Sequence, residues 1–187
     1  MARIYMIRHG RPASTWGDDD LDPGLDETGR TQAEQAAEAL LSQPEPPRRV
    51  VSSPLRRCRE TAEPLARALG VAIEIDPRVG EIPTPAALAH EERPGWLREA
   101  FGGLWREIEG DLDYEVWRGE VARAVAAHEG AAVFSHYVAL NAAVSSALGD
   151  ERVMAFRPDH CSITVFEPGD GGLILIDKGR EAATQVL

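Results

Sequence analysis

Histidine and arginine residues stand where two apolar segments of the chain end. Arg8, His9 and Gly10 follow the first such segment, and His136 follows another. A neutral imidazole is a competent nucleophile near pH 7, and arginine offers a forked donor for phosphate oxygens. Glycine allows the backbone to turn and to approach a ligand closely. These residue types are suited to a site that binds a phosphate-like anion and attacks it with a histidine nitrogen, although Arg-His-Gly on its own is also typical of a turn with a surface arginine and a capping histidine.

A predicted helix has three arginines in its first turns, Arg56, Arg57 and Arg59. Cations are misplaced there because the positive end of the helix dipole repels them, and a bound anion removes the conflict. Arg56 and Arg59 are expected to lie in solvent or to pair with Glu60 and Glu63. Arg57 lies on a different stripe of the helix from the apolar residues, and we predict that it binds the anion.

Other titratable residues carry a weaker signal. Glu81 follows the third predicted strand, where its spacing alone is typical of a solvated carboxylate. His90, His128 and His160 have no partner pattern, and His128 is expected to act as a cation at the C-terminus of a helix.

The elements that position these residues alternate along the chain. Short apolar runs predict strands at 3–7, 50–51, 71–75 and 131–135, and periods near 3.6 predict helices at 28–41, 54–69, 114–128 and 138–148. A hairpin is predicted from 163–166 and 173–176, and 84–110 is expected to be loosely helical. This order implies an α/β fold with a mostly parallel sheet, whose carboxyl edge gathers the candidate residues.

Several details of these helices are specific expectations. Ser53 is predicted as an N-cap with Pro54 at the first helical position, and Pro64 is expected to kink that helix. The helix at 114–128 is expected to bury Val116 together with Val121 and Val125.

Composition excludes several classes of protein. The 187 residues carry a formal net charge of −11, which argues against binding to nucleic acid or to an anionic membrane. Cys58 and Cys161 are too few for a disulfide framework or a cysteine zinc site, and no apolar stretch approaches a membrane span. The apolar run before Arg8 is too short for a signal peptide, so a cytoplasmic location is expected. The acidic run at 18–20 lacks the spacing of a calcium loop, and no metal site is predicted.

Together these blocks resemble the histidine phosphatase superfamily, also called the phosphoglycerate-mutase-like family. The matching blocks occur in order along most of the chain: IRHG at 7–10, LDETGRTQA at 25–33, SSPLRRCRETA at 52–62, GEI at 80–82 and VFSH at 133–136. The resemblance implies a three-layer α/β/α sandwich with a mostly parallel central sheet. It also implies a single domain over 1–187, with a small helical lid inserted at about 82–112.

The resemblance further implies roles for individual residues. His9 is the nucleophile that becomes phosphohistidine, Glu81 is the proton donor, and Arg8, Arg57 and His136 hold the phosphoryl group. The implied activity is that of a metal-independent phosphomonoesterase, which needs no cofactor and acts on a small phosphorylated substrate.

Other functions remain open at this stage. A phosphotransferase such as a mutase, or a protein-phosphohistidine phosphatase, would use the same residues, although the short chain disfavours the cofactor-dependent glycolytic mutases. Arg11, Pro12 and Thr15 stand where many members carry an acidic or amide residue, a threonine and an asparagine. This departure leaves open an inactive phosphate-binding module. The oligomeric state is also open.

Overall fold

A six-stranded sheet forms the centre of the computed structural model, which describes residues 2–14 and 20–183. Its strands are β1 (Ile4–Arg8), β2 (Arg49–Ser52), β3 (Ile73–Ile75), β4 (Ala131–Ser135), β5 (Ile163–Gly169) and β6 (Gly172–Asp177), and their order across the sheet is β3-β2-β4-β1-β5-β6. The first four strands are parallel to one another, whereas β5 pairs antiparallel with β1 and β6. The predicted mostly parallel sheet and its terminal hairpin are confirmed.

Helices cover both faces of this sheet. The helices are α1 (Glu27–Leu41), α2 (Arg56–Leu69), α3 (Arg93–Phe101), α4 (Tyr114–Ala126) and α5 (Tyr137–Leu148). Tyr5 and Ile7 of β1 pack in the core under α1 and α2, while Ile4 and Met6 pack in the core under α4 and α5. Successive side chains of a strand point to opposite faces, so β1 is buried on both sides. The predicted three-layer α/β/α sandwich is confirmed.

The ends of two helices form as the sequence predicts. Gly70 closes α2 and Gly149 closes α5, with φ angles of 67° and 64°. Only glycine adopts this left-handed conformation without a Cβ penalty, which explains why each helix stops there.

Two local expectations are wrong, the cap at Ser53 and the burial of Val116. The α2 helix begins at Arg56 after Leu55, so Ser53 and Pro54 precede it. It continues through Pro64 to Leu69, and the kink at Pro64 stays a prediction. Val116 is 52% exposed, because Tyr114 takes the inward position in the first turn of α4.

His128 also departs from its predicted role. It lies beyond the end of α4, is buried, and places Nε2 2.8 Å from Oδ2 of Asp76. It therefore contacts a buried carboxylate instead of the carbonyls at the helix end.

The segment between β3 and α4 contains α3 and three one-turn 3-10 helices, Pro77–Val79, His90–Glu92 and Trp105–Glu107. Trp105 is fully buried and its indole N–H donates to Ser145 Oγ of α5 at 3.0 Å. Ile82 and Leu97 are buried in the same core, so this segment is packed against the α4 and α5 face. Thr15 and two of the three acidic residues at 18–20 lie outside the described residues. No helix within residues 2–14 and 20–183 combines the length and apolar composition needed to cross a lipid bilayer.

Candidate active site

The residues predicted to carry chemistry come together at the carboxyl edge of β1 and β4. Arg8 ends β1, His9 follows it, and His136 follows β4, while Arg57 lies in the first turn of α2. Arg57 Nε is 3.3 Å from His9 Nε2, and Arg57 Nη2 is 3.2 Å from His136 Nδ1. Oε2 of Glu81 lies 3.6 Å from Arg57 Nη2 and 3.5 Å from His136 Nδ1. One guanidinium thus joins both histidines and the carboxylate.

The ring of His9 is held in one tautomer. Its Nδ1 is 2.8 Å from the carbonyl oxygen of Gly10, which can only accept, so Nδ1 carries the proton. The lone pair therefore lies on Nε2, which faces Arg57. Burial, and then the charge of Arg57, hold the pKa of His9 well below its usual range. At neutral pH the ring is neutral and its Nε2 is nucleophilic.

Close backbone packing fixes the loop that carries His9. The N–H of Gly10 donates to Thr61 Oγ1 at 3.0 Å, and Thr61 Oγ1 donates to the carbonyl of Arg57 at 2.6 Å. A Cβ added to Gly10 would lie 2.7 Å from the carbonyl oxygen of Gly29, a contact that only glycine avoids. Contacts through Gly10 therefore bring together three of the sequence blocks, those at 7–10, 25–33 and 52–62.

His136 is oriented by Ser53. An arginine can only donate, so Nδ1 of His136 accepts from Arg57, and Nε2–H donates to Ser53 Oγ at 2.8 Å. Burial, and then Arg57, hold the pKa of His136 well below its usual range. His136 is fully buried and lies behind the cavity wall, so it reaches the site through Arg57 and Glu81. Ser53, predicted as a helix cap, instead supports this histidine.

Arg8 presents its guanidinium from the other strand end. Its Nη1 donates to the carbonyl of Pro158 at 3.0 Å, and its Cζ lies 5.0 Å from the centroid of the Tyr137 ring. Burial lowers the pKa of Arg8 to about 10, which leaves it cationic at neutral pH. Its Nε is buried and has no hydrogen-bond partner in the described part of the chain.

Two residues with no predicted role in the site, His160 and Arg93, line the same cavity. The ring centroid of His160 is 5.9 Å from that of His9, and burial lowers the pKa of His160 to about 4. Arg93, the first residue of α3, is half-buried, and burial lowers its pKa while the charge of Glu81 raises it. Arg93 thus adds a third cation beside the carboxylate.

The cavity in front of these residues has a volume of about 480 Å³. Arg8, His9, Arg57 and Glu81 lie together on its wall. Much of the rest of the described wall consists of apolar side chains from α3, α5, the loop before α2 and the loop after β1, and it also contains Ser14, Asp20, His90 and His160. Within residues 2–14 and 20–183, no cluster of three or more His, Cys, Asp or Glu side chains is arranged to hold a metal ion. Among the described residues of this wall, Arg8, Arg57 and Arg93 carry positive charge.

Comparison with known proteins gives a family match. The family model described as the histidine phosphatase superfamily (branch 1) matches residues 4–179 of the chain. A glucosyl-3-phosphoglycerate phosphatase from Mycobacterium tuberculosis is 40% identical over 82 residues, 42% of this chain and 36% of the relative. The match thus spans little more than a third of that relative's length. A probable phosphoglycerate mutase GpmB from Salmonella paratyphi C is 29% identical over 186 residues, 88% of this chain and 84% of the relative.

Solved structures share the fold. The native structure of mycobacterial glucosyl-3-phosphoglycerate phosphatase superposes with a TM-score of 0.74 at 22% identity, over 97% of this chain and 100% of that one. A phosphoserine phosphatase from Entamoeba histolytica, in complex with 3-phosphoglyceric acid, gives a TM-score of 0.75 at 19% identity, over 96% and 98% of the two chains.

Proposed function

We propose that this chain, which belongs to the histidine phosphatase superfamily, hydrolyses phosphate monoesters through a phosphohistidine at His9. The observation that carries the proposal is the orientation of the His9 ring. Its Nδ1 is fixed by the Gly10 carbonyl, and its Nε2 lone pair lies 3.3 Å from a nitrogen of Arg57. A phosphoryl group bound by that arginine would lie next to the nucleophilic nitrogen.

In the first step, His9 Nε2 forms a bond to phosphorus while the bond from phosphorus to the ester oxygen breaks on the opposite side. Arg8 and Arg57 stabilise the negative charge on the equatorial oxygens, and His136, which accepts a hydrogen bond from Arg57, holds that guanidinium in place for the phosphoryl group. Glu81 donates a proton to the leaving oxygen, which departs as a neutral alcohol.

In the second step, water attacks the phosphohistidine. The Glu81 carboxylate takes a proton from that water as its oxygen bonds to phosphorus and the bond from phosphorus to His9 Nε2 breaks. Inorganic phosphate leaves, and both His9 and Glu81 return to their starting protonation states. Because arginines supply the stabilising charge, we propose that the reaction needs no metal ion.

The segment at 82–112 is proposed to act as a lid, since its helix α3 contributes Arg93, Leu97 and Phe101 to the cavity wall. A cytoplasmic location and the absence of a nucleic-acid partner remain proposals. They are supported by the net charge of −11 and by the free thiols of Cys58 and Cys161.

Turnover of p-nitrophenyl phosphate tests the activity, and alkaline quenching tests the intermediate. Wild-type protein should retain one acid-labile phosphate on His9, whereas His9→Ala should retain none and lose nearly all turnover. His9→Ala should still be stabilised against heating by inorganic phosphate, because Arg8 and Arg57 remain. Normal turnover by His9→Ala would overturn the proposal, and products formed on an added acceptor alcohol would reveal phosphotransfer.

A further inference from the structure

We propose that Asp76 and His128, a buried pair outside the cavity lining, position Glu81 for proton transfer. The inference rests on the proposed function, in which Glu81 donates a proton to the leaving oxygen. Both residues would act through the turn that leads to Glu81, so they are positioning residues and not catalytic ones.

The contact between the two side chains is a hydrogen bond to an ionised carboxylate. Nε2 of His128 is 2.8 Å from Oδ2 of Asp76. Hydrogen bonds from Arg78, and a further one from His128, hold the pKa of Asp76 well below its usual range although burial opposes them. A carboxylate can only accept, so Nε2 of His128 carries a proton and donates it to the bond.

The other ring nitrogen of His128 shows that this bond is what the histidine provides. Its Nδ1 is buried and has no hydrogen-bond partner within residues 2–14 and 20–183. A buried polar atom without a partner is unfavourable, and an aliphatic side chain at this position would avoid that loss. An aliphatic side chain would also lose the bond to Asp76.

His128 links Asp76 to the interior of the fold, whereas the other partner of Asp76 lies at the surface. Arg78 donates to Asp76 through Nε and Nη2, but its side chain is 62% exposed. The N–H of His128 donates to the carbonyl of Val125 in α4, and its carbonyl accepts from the N–H of Ala131 in β4. The bond to Oδ2 therefore fixes the Asp76 carboxylate relative to α4 and β4.

The Asp76 carboxylate also begins the short turn that leads to Glu81. It accepts from the N–H of Arg78 at 3.0 Å and caps the 3-10 helix Pro77–Val79. Gly80 ends this helix, and its N–H donates back to the carbonyl of the first helical residue at 3.0 Å. A change in the position of Asp76 is therefore carried along the turn to Glu81.

The carboxyl group of Glu81 is tied to its own backbone. Its Oε1 accepts from the N–H of Ile82 at 3.1 Å, and Ile82 is buried. Its Oε2 faces Arg57 and His136. A displaced turn would therefore displace the carboxyl group, and a misplacement of about 1 Å can cost about 10²-fold in rate.

The ratio of kcat/KM for an alkyl phosphate to that for p-nitrophenyl phosphate measures this positioning, because only the alkoxide needs a proton to leave. His128→Leu should lower the ratio about 10- to 100-fold, and no further than Glu81→Gln lowers it. His128→Gln should restore most of the ratio, since its amide nitrogen lies as many bonds from the Cβ as Nε2 does and can donate to Asp76. The double variant with His128→Leu and Glu81→Gln should show the ratio of Glu81→Gln alone.

A loss of stability alone would leave this ratio unchanged. Leu40→Ala, which opens a cavity in the core under α1, is the control and should keep the wild-type ratio. His128→Asn, whose shorter side chain does not reach Oδ2, repeats the test if His128→Leu does not fold.

The outcomes separate this inference from the proposed function. A ratio that is unchanged in His128→Leu but lowered in Glu81→Gln would overturn the positioning role and leave Glu81 as the proton donor. An equal fall in His128→Leu and His128→Gln would also overturn it, because the hydrogen bond would then not be the cause. An unchanged ratio in Glu81→Gln, or failure to hydrolyse any monoester, would refute the proposed function and this inference with it.

Discussion

Replacement of Arg57 tests the geometry of the site most directly, because its guanidinium contacts His9, His136 and Glu81. Arg57→Lys keeps the positive charge but replaces the planar fork with a single ammonium group. One ammonium cannot occupy the positions of both Nε and Nη2, so at least one hydrogen bond to the phosphoryl group is lost.

The size of the effect follows from the kind of bond that is lost. A hydrogen bond to a charged group contributes about 1.5–3 kcal/mol, so Arg57→Lys should lower kcat/KM about 10- to 100-fold. Arg57→Ala removes the charge as well as every donor. Since a single oxyanion donor is worth about 10²–10³ in kcat, we expect a loss of at least about 10³-fold.

The pH profile of Arg57→Ala gives a second readout. His9 must be neutral to attack, so its protonation produces the acid limb of kcat/KM. Arg57 is a cation that lowers the pKa of His9, and its removal raises that pKa. The acid limb should therefore move to higher pH in Arg57→Ala, and less so in Arg57→Lys, when both are compared with wild type on one substrate.

Arg59 provides the matched control, since it lies two residues further along α2 and is exposed. Arg59→Lys and Arg59→Ala should retain wild-type kcat/KM and an unmoved acid limb in steady-state assays with p-nitrophenyl phosphate. Guanidinium added to the buffer should partly restore Arg57→Ala. If the Arg57 and Arg59 variants lost activity equally, the assignment of the phosphate site to Arg57 would be refuted.

Two further predictions concern Glu81 and metal ions. Glu81→Gln should slow hydrolysis of an alkyl phosphate by about 10²–10⁴-fold and affect p-nitrophenyl phosphate little, because only the alkoxide needs a proton to leave; equal losses on both esters would reduce Glu81 to a structural or phosphate-orienting residue, with Glu91 and Glu92 the next carboxylates to test. Activity should survive exhaustive chelation and be inhibited by vanadate or tungstate, because Arg8 and Arg57 supply the stabilising charge; loss of turnover in chelator and its return with magnesium would contradict this.

Much of the site could be predicted because parallel strands bring distant residues to one edge. Arg8, His9 and His136 directly follow β1 and β4, and those strands are adjacent in the sheet. Their positions directly after predicted strands identify them without knowledge of the tertiary structure. Arg57 was distinguished from its neighbours by its stripe on α2, and it is the buried one of the three arginines.

The position of His160 could not be predicted in the same way. It precedes β5, and β5 runs antiparallel to β1, so the start of this strand lies at the edge where β1 ends. Its direction depends on a pairing that sequence periodicity does not reveal. Arg93 was missed for another reason. It begins a nine-residue helix whose burial is set by contacts with α4 and α5, so local pattern gave little indication of its place.

Ser53 shows how tertiary contacts override a local preference. A serine before a proline is a favourable start for a helix, and that preference predicts a cap. In the fold, the Ser53 hydroxyl lies 2.8 Å from Nε2 of His136, a buried polar atom that must be satisfied. The helix begins later, at Arg56, and the hydroxyl orients a site histidine instead.

Glu81 has the weakest sequence signal of the candidate residues, yet the turn before it is firmly fixed. The side chain of Asp76 accepts from the N–H of Arg78 at 3.0 Å and contacts His128, which holds the start of the 3-10 helix Pro77–Val79. Ser135 Oγ, at the end of β4, donates to the carbonyl of Val79 at 2.6 Å. These buried bonds join the turn to the strand that ends beside His136. The backbone that carries Glu81 is therefore fixed, and its carboxylate is held next to Arg57 and His136. The proposed mechanism requires such a fixed position, because the same carboxyl group first donates a proton to the leaving oxygen and then accepts one from water.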